Sequence, residues 1–106
     1  SNQLKHKLAK VSNETIIKYG SVSEEVALEM AQGGRNELGV DICISTTGIA
    51  GPDGGSKEKP VGLVWIAIST PEKITSHRLQ FSQHRGRNIN MTTLSALNLL
   101  RIALNE

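Results

Sequence analysis

The alternation of apolar and polar positions divides the chain into helical stretches, three strands and a closing helix. Leu4 and Leu8 lie one turn apart in a short basic segment, residues 4–10, that reads as weakly helical. Ser12 or Asn13 is placed to cap a helix through Thr15–Lys18, and Gly20 to end it. Ser23 caps the next helix, with Glu24 and Glu25 in the first turn, where the macrodipole favours acids. Val26, Ala27, Met30, Ala31, Gly34 and Leu38 give that helix one apolar face, and Gly39 stops it. Gly33 and Gly34 inside it cost about 1 kcal/mol each relative to alanine, which close packing against a sheet explains. Val40 to Ser45 is a β-branched run, apolar on both faces, as in a central strand covered on two sides. Val61 to Ile68 is a second such run; the turn Thr70–Lys73 joins it to Ile74–Phe81 as an antiparallel hairpin. After a polar connection, a helix over 88–104 puts Ile89, Thr93, Ala96, Leu97, Leu100 and Leu104 on one face. This order predicts one layered α/β domain over residues 1–106 with a mixed sheet. An α/β domain usually opens on a strand and this chain does not, so the sequence is expected to be a piece of a longer domain.

Between the first two strands runs Thr46-Thr47-Gly48-Ile49-Ala50-Gly51-Pro52-Asp53-Gly54-Gly55, continued by Ser56-Lys57-Glu58-Lys59-Pro60. A loop that only turns the chain needs about two to five residues. This one is longer, and its glycines let backbone N–H groups approach a ligand closely. It matches neither the Walker A pattern nor G-x-G-x-x-G, and it leads into a strand, so no helix dipole is aimed at a phosphate by local sequence. Two hydroxyls and a flexible backbone can hold a carboxamide, a ribose or a phosphate. A small-molecule site and a purely structural loop both fit the residues.

Composition narrows the classes. The chain has 106 residues, 38% hydrophobic and 21% charged, on the globular side of the disorder boundary. Aromatic residues make up 3% and the net charge is +2, so stacking platforms and a basic footprint for nucleic acid are both lacking. Cys43 is the single cysteine, set in a strand, which reads as a buried inert thiol. No apolar run is long enough to span a bilayer and no signal peptide opens the chain, so a cytoplasmic protein without membrane contact is expected. His6, His77 and His84 have no metal-ligand spacing with one another or with Cys43, so neither metal nor cofactor is expected. Lys5, Lys7 and Lys10 form a basic run that reads as a solvated face. Arg85 and Arg87 are suited to clamping a phosphate, though a solvent-exposed connection also carries arginines. No nucleophile, base and acid can be assembled into a triad from these residues.

The run Thr47–Gly55, followed by Glu58-Lys59-Pro60-Val61-Gly62 and Val64-Trp65, resembles the signature of the CinA C-terminal domain family. Gly20-Ser21-Val22-Ser23-Glu24 and the opening Ser1-Asn2-Gln3-Leu4-Lys5 are similar to the same family, so the resemblance covers nearly the whole chain. It implies a three-layer α/β/α fold and hydrolysis of nicotinamide mononucleotide to nicotinate mononucleotide and ammonia. A catalytically silent nucleotide-binding or interaction module linked to competence or DNA damage is the alternative. Under the amidase reading, Lys5 is the base that activates a hydroxyl nucleophile, a role open to a lysine whose pKa burial lowers. The hydroxyl of Thr47, beside Thr46, contacts the substrate; backbone N–H groups from Gly48 to Gly51 stabilise the oxyanion; Arg85 holds the phosphate. The family's nucleophile lies in a Glu-Ser-x-Thr-Gly-Gly-like segment on an upstream strand–helix unit, so the resemblance implies that an N-terminal strand and helix are missing from this sequence; the family's Phe-x-Gly-Asp-Arg is here Phe81-Ser82-Gln83-His84-Arg85. The chain by itself is therefore expected to be inactive, and its uncovered apolar faces to drive dimerisation.

Overall fold

The computed structural model describes residues 11–105. The helix expected over residues 4–10, and with it Lys5, lies outside that range. Helix α1 (Asn13–Tyr19) starts where Ser12 Oγ accepts from the Glu14 N–H, and Gly20 ends it with φ +82°. Helix α2 (Glu24–Leu38) is capped by the Ser23 hydroxyl, which accepts from the Val26 N–H, and ends at Gly39 in the left-handed region. The two helices are clamped together at Glu29, whose carboxylate accepts from the Ser12 N–H (3.0 Å) and the Thr15 hydroxyl (2.7 Å). Val11, Ile16 and Val26 form the apolar cluster beneath that clamp.

Strands β1 (Cys43–Gly48), β2 (Leu63–Ser69) and β3 (Ile74–Gln80) follow, in sheet order β1-β2-β3. Both pairings are antiparallel, with Ser45 opposite Ala67 and Trp65 opposite Arg78. A mixed sheet needs a parallel pair, and the described strands contain none: the β1–β2 connection doubles back as a long hairpin, not a crossover helix. The first strand also starts later than its apolar run suggests. The Val40 N–H still donates to the Arg35 carbonyl at the end of α2, and Val40 is 41% exposed; pairing begins at Cys43 and runs through Thr46, Thr47 and Gly48. Two of the predicted loop residues with hydroxyls are therefore strand residues.

Alternation across the pleat gives the sheet two faces. Cys43, Ser45, Thr47, Trp65, Ala67 and Ser69 face α2. Ala27, Ala31 and Ala67 make the contact cluster there, and a Cβ added at Gly34 would stand 2.9 Å from Cys43 Sγ. The close packing expected of Gly33-Gly34 is thus found at Gly34. Thr46, Gly48 and Val64 point the other way, toward helix α3 (Arg85–Leu104). Helix, sheet, helix are the three layers. Helix α3 starts three residues before the sequence pattern suggests, because the His84 imidazole acts as N-cap and accepts from the Arg87 N–H (3.2 Å). Its expected inward face is found in part: Ile89 and Thr93 line the space against the sheet, whereas Leu97 and Leu104 are 58% and 60% exposed, and Asn88 is its buried residue. No described helix is long and apolar enough to cross a membrane.

Candidate functional site

The base of the long connection is closed by two backbone bonds, Ile49 N–H to the Leu63 carbonyl (2.9 Å) and Gly62 N–H to the Ile49 carbonyl (2.7 Å). Its tip folds on itself: the Ser56 N–H donates to the Lys59 carbonyl (2.9 Å), and the Lys59 N–H donates to Ser56 Oγ (3.0 Å). The Lys59 ammonium donates to the Tyr19 carbonyl at the end of α1, which ties the tip to the α2 side of the sheet. Gly51 and Pro52 are joined by a cis peptide bond.

Where β1 and the start of this connection face α3, they frame a cavity of about 240 Å³ that opens to solvent. Thr46, Gly48, Ala50 and Val64 form one wall; Asn88, Ile89, Thr92 and Thr93 form the other. The Thr46 hydroxyl makes no hydrogen bond to any described residue and is the free polar group of the first wall. Thr92 and Thr93 donate to the carbonyls one turn back, Asn88 O (2.7 Å) and Ile89 O (3.1 Å), which leaves their oxygens as acceptors. Thr47 goes the opposite way. Its hydroxyl is on the α2 face, 6% exposed, and donates to the Ser21 carbonyl at 2.7 Å, while its backbone runs along the cavity.

The remaining candidates gather at the start of α3. Arg85 Nη1 approaches the Gly51 carbonyl at 3.5 Å, so these two residues meet. Arg85 and Arg87 occupy a first helical turn that has no acid, where the helix dipole adds to their positive charge. Such an end favours an anionic group. Asn88 and Thr92 are the lining residues that sequence reasoning misses; Ile89 and Thr93 lie on the helix face it named. The signal was an asparagine near the start of the helix with a threonine four residues on, one turn further along the same face. Cys43 lies on the α2 face, away from the cavity, and burial pushes its thiol above the ordinary value.

With that geometry in hand, comparison with known proteins is specific. The family model for the CinA C-terminal domain matches residues 1–104. A CinA-like protein of Cytophaga hutchinsonii is 47% identical over 105 residues, covering 99% of this chain and 25% of its own length. The crystal structure of the competence/damage inducible protein CihA of Agrobacterium tumefaciens superposes with a TM-score of 0.94 at 37% identity, over 100% of this chain and 65% of that one. A competence-damaged protein (CinA) superfamily structure from Escherichia coli superposes at 0.90 with 32% identity, over 94% and 58%. The chain spans about a quarter of the length of the curated relatives it matches.

Proposed function

The chain belongs to the CinA C-terminal domain family, and on that premise we propose that it is part of a nicotinamide-nucleotide amidase, hydrolysing nicotinamide mononucleotide to nicotinate mononucleotide and ammonia. The observation that carries the reading is the cavity itself. At about 240 Å³ it is smaller than the roughly 300–1,000 Å³ that takes a whole drug-sized ligand, so it suits the nicotinamide end of the substrate. The Thr46 hydroxyl and the threonine oxygens of α3 are matched to a neutral carboxamide, which both donates and accepts. The arginine-bearing start of α3 is matched to the phosphate. In this reading Lys5 takes the proton of the attacking hydroxyl, which another segment of the polypeptide supplies, and N–H groups from Gly48 to Gly51, other than that of Ile49, which the Leu63 carbonyl holds, receive the developing oxyanion.

The full-length protein incubated with nicotinamide mononucleotide should release ammonia, and Lys5→Ala should abolish the release. Unchanged release in that variant removes Lys5 as the base; no release from the full-length protein removes the amidase reading. A second reading, a nucleotide-binding module without catalysis, is favoured by one observation: the described residues that line the cavity include no lysine, histidine or carboxylate. Saturable binding of the nucleotide without ammonia identifies it. Self-association belongs to the same proposal, supported by Leu94, Leu97 and Leu104 of α3, each more than half exposed. A monodisperse monomer in light scattering removes that part.

A further inference from the structure

Asparagine is a poor helix former, because its side chain competes for nearby backbone groups. Asn88 nevertheless sits in the first turns of α3, at 1% exposure, as the one buried residue of that helix. Its carboxamide is fully used. Nδ2 donates to the Ala50 carbonyl (2.8 Å) and to the Ser82 carbonyl (2.7 Å), and Oδ1 accepts from the Ser82 hydroxyl (3.1 Å). One side chain thereby joins three segments around the cavity: the start of the long connection, the link after β3, and α3.

The partner that matters is Ala50. A trans peptide is planar, with its C=O and N–H pointing in opposite directions. Holding the Ala50 carbonyl against Asn88 therefore sets the direction of the Gly51 N–H. The next carbonyl, that of Gly51, is approached by Arg85 from the same helical turn. Two consecutive carbonyls of the connection are thus both turned toward α3. Rotating the Ala50–Gly51 peptide breaks the Asn88 bond and strands a donor on a fully buried side chain, where an unmade bond is expensive. We infer that Asn88 is a positioning residue: it fixes the peptide that walls the cavity beside the reacting carboxamide. The inference rests on the amidase reading for its catalytic consequence, and on the hydrogen bonds alone for the latch.

The test uses the full-length protein with Asn88→Ala, Ser82→Ala and Thr15→Ala. Thr15 gives its hydroxyl to Glu29 at 2.7 Å in the α1–α2 clamp, so Thr15→Ala loses a comparable hydrogen bond away from the cavity. Amide hydrogen exchange over residues 50–61 should rise in Asn88→Ala and stay unchanged in Thr15→Ala. The kcat for ammonia release should fall about 100-fold in Asn88→Ala, the loss that an ångström of misplacement produces, with KM changed less than about threefold. Thr15→Ala should lower the melting temperature and keep kcat. Ser82 is exposed, so Ser82→Ala keeps the fold if Asn88→Ala does not; it removes the bond to Oδ1 alone, leaves both Nδ2 bonds to backbone carbonyls, and should show the same pattern more weakly. Unchanged exchange over 50–61 overturns the latch. A kcat loss no larger than that of Thr15→Ala makes Asn88 a packing residue only. If the unaltered protein releases no ammonia, the amidase reading falls, and the exchange measurement still decides the latch.

Discussion

Gly62→Ala is the substitution whose cost can be worked most directly from the geometry. Gly62 has φ +90°, and its backbone is held from both sides: its N–H donates to Ile49 O (2.7 Å) and its carbonyl accepts from the Phe81 N–H (2.8 Å). It cannot swing away without opening both bonds. An added Cβ would lie 2.5 Å from Ser82 O and 2.6 Å from Phe81 O, and both are backbone atoms that no rotamer change can move. Left-handed backbone costs an alanine about 1–2 kcal/mol. Overpacking against the Phe81–Ser82 backbone costs about 1–3 kcal/mol more. The smaller entropy of the unfolded alanine chain returns about 0.4–1 kcal/mol. The net is a loss of about 3 kcal/mol, or roughly 10–25 °C in Tm for a domain of this size. Gly39→Ala is the matched comparison. It has φ +64° with nothing within 4 Å of the added Cβ, so only strain and entropy apply. Its loss should be about 1 kcal/mol, or about 5 °C. Thermal unfolding followed by tryptophan emission reads both, since Trp65 on β2 is the single tryptophan of the chain. Equal melting temperatures for the two variants would refute the argument that the Phe81–Ser82 backbone excludes a side chain at Gly62.

Two further outcomes follow from contacts away from the cavity. Burial raises the Cys43 thiol above its ordinary value of 9.0, so the unfolded thiol ionises first; the stability it contributes is complete below about pH 9 and is lost as pH rises through the folded value. The urea midpoint should therefore fall between about pH 8 and pH 10 by more in the unaltered protein than in Cys43→Ala, and parallel falls would show the thiol contributes nothing. Lys59→Met removes the ammonium that donates to the Tyr19 carbonyl, an exposed contact, so stability should change by less than about 0.5 kcal/mol while proteolysis within residues 50–61 quickens; an unchanged cleavage rate would mean the tip is held without it.

Which parts of this are legible in the sequence depends on whether the signal is local. Ser12, Ser23 and Gly39 are readable because a cap needs only its neighbours: an oxygen two or three residues before an N–H, or a residue free to turn left-handed. The start of β1 is not, because Val40 is apolar whether it pairs with a strand or trails from a helix, and only the pairing of Cys43 with Ser69 decides. His84 hides the start of α3 for a related reason. A histidine is an unusual cap, and Arg85 and Arg87 beside it look like a solvated link until the Arg87 N–H is seen bonded to the imidazole. Gly51 and Arg85 meet each other without lining the cavity; of its walls, Thr46 and Gly48 are legible from type and position. Which of two adjacent threonine hydroxyls enters the cavity is not, because that follows from strand register. The inward role of Asn88 is concealed in the same way, since its partners Ala50 and Ser82 come from two other segments.

The two faces of β1 explain why a hydroxyl that enters the cavity can be held steadily. On the α2 face the side chains are small, and what they lack in apolar area they replace with directed bonds. Ser45 donates to the Ala27 carbonyl at 2.5 Å, Thr47 donates to the Ser21 carbonyl at 2.7 Å, and Ser69 on the neighbouring strand accepts from Arg35 Nε at 3.2 Å. Greasy contact tolerates sliding, because dispersion is non-directional; a buried hydrogen bond does not, since displacement strands its donor. The α2 side is therefore fixed in register on β1 at Ser45 and Thr47. Thr46 and Gly48, the residues between and beyond those anchors, share that backbone and inherit its position on the other face. Adjacent threonines thus take opposite roles. Thr47 anchors the strand from behind, and Thr46 is presented to the cavity on a backbone that those anchors hold still.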